Sequence, residues 1–349
     1  MVLPKAAILV LVLFGALAST GRAAEATDPS GSDTLTLIAR TELPGYTGDF
    51  DHFAADVKGN RLFLAAEDHG TLEVFNLKTG ERLRTVGGFD APHSILYLPD
   101  INRLIVTDGG KSMTKVLDAT TYKITGAIKL TPGADSAGYD ALRKRYYIVT
   151  GGKDVGMNQC FLADIDPATG EKFGEVEFDS NHTEAMAVAQ YGNHIYINVT
   201  DKNYMAVVDK TKHVVIATWP IKEAEQNAPV AFDEPNRRLF VVTRKPGKLI
   251  VLNADSGATV TAFDAPLRAD EAIFDKADRR VYVLGGEGYI GVYQEDDPDH
   301  YRELAHIPSA PGAKTGILVP ALNRLYVAVS PGEGKTGAAL LQFAVAPRK

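Results

Sequence analysis

Hydrophobic residues along this chain fall in short runs of four to seven, many alternating with polar residues, and each run ends at Gly, Pro, Asn or Asp. That pattern predicts strands joined by tight turns and gives no support to long amphipathic helices. One motif recurs throughout: a dipeptide, mostly Asn-Arg or Arg-Arg, opens a strongly apolar strand. It reads NRLF at Asn60, NRLI at Asn102, KRYY at Lys144, NHIY at Asn193, RRLF at Arg237, RRVY at Arg279 and NRLY at Asn323. The intervals are 42, 42, 49, 44, 42 and 44 residues. A period in the forties made only of strands is the signature of a propeller blade.

Each unit follows the same order. A short apolar run (HFAAD, VAFDE, EAIFD) precedes a turn and then the dipeptide strand. A polar, glycine-rich loop leads to a third strand such as TLEVFN or KLIVLN, and a tight turn such as NLKTGE or DPATGE leads to a more polar fourth. Four strands with short connections make an antiparallel meander. The seventh unit lacks its fourth strand, because the chain ends soon after AALLQFAVAP. A spare strand, TLTLIARTELP from Thr34 to Pro44, lies at the other end. Pairing it beside the last third strand closes the ring and removes an open edge. The expectation is one all-β domain over residues 27–349, a seven-bladed propeller of four-stranded antiparallel blades.

Residues 1–26 stand outside that pattern. Lys5 precedes an apolar run from Ala6 to about Ala18, and small residues follow to Ala23 and Ala26. This reads as a secretory signal, too short for a comfortable membrane span, so a periplasmic or secreted location and no span after cleavage are expected. The chain carries 37 basic and 44 acidic residues; losing Lys5 and Arg22 leaves −9. That balance provides no electrostatic footprint for nucleic acid. Cys160 is the sole cysteine, so no disulfide forms within the chain, and its place at the head of an apolar strand suits packing.

The strand marks resemble those of the YVTN or YncE-like family of seven-bladed bacterial propellers. NRLYVAVSPGEG, HIYINVTDKNYMAVVDKTKHVVIATWPI and CFLADIDPATGEKFGEV carry the likeness, which covers nearly all of the mature chain. With one Trp and no Trp-Asp dipeptide, the chain does not resemble WD40 propellers. The resemblance implies an exported protein. Relatives of the same shape include lactonases and other hydrolases with a metal in the central funnel, held mainly by oxygen ligands that include Asn.

In such a ring the loop entering each innermost strand shares a mouth with the loop leaving the second strand. Nine residues before each dipeptide stand Asp51, His93, Asp135, Glu184, Ala228, Asp270 and Lys314; eight before stand His52, Ser94, Ser136, Ala185, Pro229, Glu271 and Thr315. The second-strand loops add Glu67, Asp68, His69, Asp108, Asp201, Arg244 and Glu287, and His182 precedes Glu184 by two. Two readings stand side by side. Ring mouths are wet, and these charges need only water and one another; Lys314, between the blades of Asp270 and Asp51, suits an ion-pair cluster. The sharper reading is a divalent metal on His52, His93, Glu184 and Glu271, a mixed nitrogen and oxygen set that suits Zn, Mn, Fe or Cu better than calcium.

Asp51, Asp135, Asp270, Lys314, Asp108 and Arg244 would then line the ligand funnel. If the funnel were catalytic, a bound metal would polarise a lactone or ester carbonyl, and Glu271 or His69 would accept the proton. No CxxC, HExxH or GxSxG motif points elsewhere. The expected function is recognition of a small molecule, metal or partner protein at an acidic, histidine-containing funnel, with a metal-dependent hydrolase as the alternative. Oligomeric state is not readable from the sequence.

Overall fold

The computed structural model describes residue 1 and residues 34–110, 113–331 and 337–348; residues 2–26 of the expected secretory signal lie outside them. Seven four-stranded antiparallel sheets form a seven-bladed β-propeller. Blade 1 runs through Phe53–Asp56, Arg61–Ala66, Thr71–Asn76 and Arg82–Gly87, and the next five repeat that order from inner to outer strand. Blade 7 takes three strands from the end of the chain, Ala313–Val319, Arg324–Val329 and Ala339–Val345. Its outer strand is Leu35–Glu42, which pairs antiparallel with Ala339–Val345 from Leu35↔Val345 to Glu42↔Ala339. The strand left over by the repeat count thus closes the ring. No helix among the described residues is long and apolar enough to cross a membrane.

The recurring dipeptide has a backbone reason and a side-chain reason. Its first residue is left-handed in six blades, with φ of 55° at Asn60, 50° at Asn102, 55° at Lys144, 57° at Arg237, 53° at Arg279 and 49° at Asn323. Asn tolerates that region better than most residues, which accounts for its frequency there. The arginine that follows reaches the next blade in four cases. Arg61 donates to Ala119 O, Arg103 to Pro167 O at 3.0 Å, Arg238 to Pro298 O at 2.7 Å and Arg280 to Ala346 O at 2.5 Å. The repeat mark therefore serves blade geometry and leaves function unaddressed.

Between neighbouring blades lie seven apolar clusters, one at each junction. Second and third strands supply most of the fully buried residues, because both of their faces are covered. The cluster joining blades 7 and 1 contains Leu43, Phe50, Phe75, Tyr326 and Leu340, which brings together the two ends of the described chain. Tyr326 Oη donates to Leu77 O across the same junction. Outer strands are more exposed, and all inner strands converge on the axis where the charged residues gather.

Candidate functional site

A β-bulge marks the entry of every inner strand. In blades 2, 4, 5, 6 and 7 the register with the second strand shifts between Pro92 and Ile95, Thr183 and Met186, Asn227 and Val230, Ala269 and Glu271, and Ala313 and Thr315. In blade 1, Asp51 N–H donates to Ala65 O at 2.9 Å while Ala65 N–H donates to His52 O at 3.1 Å. Asp135 and Ser136 bracket Val149 in the same way, at 3.0 and 2.9 Å. The two mouth positions read from the repeat coincide with these bulges. In a regular strand adjacent residues face opposite sides; a bulge re-aims them. Three adjacent pairs, Asp51 with His52, Asp135 with Ser136 and Glu184 with Ala185, accordingly line one cavity of about 330 Å³.

The same cavity is lined by Glu67, His93, Lys153, Asp154, His182, Arg244, Asp270 and Lys314. On one side Asp51 bridges two imidazoles, with Oδ2 2.6 Å from His93 Nδ1 and Oδ1 3.4 Å from His52 Nε2. Asp135 Oδ1 lies 3.5 Å from His93 Nδ1, and Glu271 Oε2 lies 3.5 Å from His52 Nδ1. On the other side Arg244, from blade 5, joins the blades on either side of it. It donates to Ala269 O at 3.0 Å, to Glu184 at 2.9 Å and to Asp270. Lys314 completes that wall, 3.1 Å from Asp49 and 3.0 Å from Asp270.

Burial and charge compete throughout this cluster. Burial alone would lower the pKa of His93, but Asp135, Asp51 and Glu67 raise it to about 10. His52 also overcomes burial, through Asp51, Glu271 and Asp135, and stands well above its ordinary value. Asp51 would be raised by burial but is held low by His52, His93 and Lys314. Glu67 moves the other way: burial, only partly opposed by His93, lifts it to about 7. Asp135 is lifted to about 6 for the same main reason. Burial would raise Glu184 too, but His182 and Arg244 bring it down to about 2.

Asp51, Glu67 and His93 each offer a ligand atom within 4.8 Å of the other two, a group that could hold a metal ion. The four residues expected from sequence to share a metal divide among three neighbourhoods. His93 is in the close group; His52 pairs with Glu271; Glu184 is engaged by His182 at 3.0 Å and by Arg244. Glu271 does not line the cavity, whereas Asp270 beside it does. His69 is exposed, with its ring 4.4 Å from that of Tyr46. Asp108 is fully buried and accepts from the backbone N–H of Asp90 at 3.1 Å and of Ala91 at 2.9 Å. Asp68 and Glu287 latch their own entry loops in the same manner, onto Asp49 N and Leu267 N. Of the second-strand loop residues named from the repeat, Glu67 and Arg244 reach the cavity wall.

Sequence reasoning placed Glu67 at the mouth but gave it no ligand role. Lys153 and Asp154 were not singled out; they lie on a single 3₁₀ turn, Lys153–Val155, after the second strand of blade 3. The 49-residue interval, longer than its neighbours, was the available signal for that extra loop. Gly109 packs directly against His93. A Cβ there would stand 2.6 Å from His93 Nε2, so only a hydrogen leaves room for the imidazole as placed. Compared with known proteins, the chain matches no family model and no curated protein. The likeness to YVTN or YncE-like propellers therefore rests on the repeat segments.

Proposed function

We propose that this protein is an exported, periplasmic or secreted binding module whose funnel captures a small ligand with the help of a divalent metal. The convergence of Asp51, Glu67 and His93 to within 4.8 Å carries this reading. One imidazole and two carboxylates favour Zn, Mn, Fe or Cu over calcium, whose sites use oxygen alone. Three protein ligands leave coordination positions for a ligand from the cavity.

Metal analysis after chelator-free purification, followed by calorimetric titration of Mn²⁺ and Zn²⁺, tests the proposal. One equivalent is expected, with affinity falling at least tenfold in Glu67→Gln and His93→Ala. A wild-type protein that takes up neither metal would refute the metal reading; one that also binds no small molecule would leave the mouth as a protein-interaction surface.

One observation favours a second reading, a metal-dependent hydrolase of lactones or similar esters. Asp135 lines the same cavity and its carboxyl is lifted to about 6 by burial, which suits a group that accepts a proton from water near neutral pH. Glu271, tied to His52, and His69, set against Tyr46, are less available for that task. Turnover of a lactone panel that disappears in Asp135→Asn while metal binding persists would select the enzyme; metal binding without turnover would select the binding module.

A further inference from the structure

The funnel is electrostatically divided. A lobe of about 240 Å³ towards blades 2 to 4 is lined by Glu67, Asp135, Asp154, His93 and His182 among its titratable side chains. A lobe of about 330 Å³ towards blades 5 to 7 is lined, among the described residues, by Arg244, Arg268 and Lys314 with Asp49 and Asp270, and Glu184 reaches Arg244 from the central cavity. The central cavity shares Glu67, His93 and Asp135 with the first lobe and Arg244, Asp270 and Lys314 with the second, so the three spaces adjoin. A sphere of the central volume is roughly 9 Å across, about the length of a small metabolite.

The cationic lobe is organised as a seat. Glu184 and Asp270 hold the Arg244 guanidinium from two sides while Ala269 O fixes its Nε. Asp49 and Asp270 hold the Lys314 ammonium. These contacts use three of the five guanidinium N–H groups and two of the three ammonium hydrogens, so donors remain on both residues. A cation already oriented by carboxylates loses little side-chain freedom when it binds a further acceptor.

We propose that Arg244 and Lys314 seat an oxyanion, a carboxylate or a phosphate, of the small-molecule ligand whose other end lies in the lobe of Asp51, Glu67 and His93. This deepens the small-ligand reading above but does not depend on a metal. A bound metal would supply positive charge at the far end of the cavity, so the ligand would then be held at both ends.

The test is calorimetry on chelator-treated full-length protein in 150 mM NaCl, titrated separately with succinate and inorganic phosphate, then repeated with Mn²⁺ present. Saturable binding of one anion is expected. It should weaken at least tenfold in Lys314→Met and in Arg244→Gln, and stay unchanged in Lys248→Met, which removes a half-buried cation paired with Asp264 and outside the cavity lining. The anion that binds names the source. Circular dichroism of each variant guards against loss of fold, and Arg244→Lys should restore part of the binding lost in Arg244→Gln. Saturable binding of neither anion, or equal weakening in Lys248→Met, overturns the proposal. Anion binding without metal uptake would leave the oxyanion seat standing while the metal reading falls.

Discussion

Asp51→Asn isolates the charge that links the two funnel histidines. The change keeps the shape of the side chain and removes a carboxylate 2.6 Å from His93 and 3.4 Å from His52. Burial would lower the pKa of His93, yet Asp135, Asp51 and Glu67 lift it from 6.5 to about 10. That lift corresponds to ~5 kcal/mol shared by three carboxylates, and the share of Asp51, including its short hydrogen bond, is on the order of 2 kcal/mol.

The sign follows from linkage. Because the folded-state pKa of His93 is raised, its stabilisation is complete below pH 6.5 and is lost as the pH rises towards 10. Asp51 is instead held below 3.8, so its contribution is present above that value and is lost only as the pH falls further. Chelator-treated Asp51→Asn should therefore lose about 2 kcal/mol relative to wild type at pH 5.5, and the deficit should shrink steadily to pH 9.5. Urea unfolding across that range measures it. A deficit that stays constant or grows with pH would refute the charge argument and point to packing instead.

Three further outcomes follow from single contacts. Gly109→Ala, whose Cβ would meet His93 at 2.6 Å, should cost about 1–2 kcal/mol in stability but lower Mn²⁺ affinity at least tenfold; unchanged affinity by calorimetry would place His93 outside the ligand set. Lys210→Met removes a buried ammonium 2.6 Å from Asp140, which keeps Arg143 at 3.1 Å, so chemical unfolding should show a loss of about 3 kcal/mol; less than 1 kcal/mol would mean the pair is structurally idle. Deleting residues 27–42 uncovers the Ala339–Val345 edge and removes the buried Leu35. Size-exclusion chromatography should show association or aggregation, and a monomer with an unshifted melting temperature would argue against ring closure as a source of stability.

The blades were legible in the sequence because each one is contiguous. Alternating burial, the left-handed residue at six of seven strand entries (Asn in three of them) and the short turns all act over a few residues, and their repetition fixes the number of blades. The missing outer strand of the last unit even located the closure at Leu35–Glu42. Equivalent positions counted back from the dipeptide also found the bulges, because the offset from bulge to turn varies little between blades.

What the count does not contain is which side chains meet. His93 reaches Asp51 across 42 residues, Arg244 reaches Glu184 across 60 and Lys314 reaches Asp49 across 265. Those meetings depend on how far each bulge turns its residues inward and on where the backbone leaves space, as Gly109 does for His93. Asp270 and Glu271 are adjacent in sequence and find different partners, and Glu67 and Asp68 likewise divide between the cavity and a loop latch. Local sequence determined that seven blades would form and which residues would stand at their entries. Only the closed ring decided which of those charges neutralise each other and which converge closely enough to bind, because pairing energy depends on distances set by all seven blades at once.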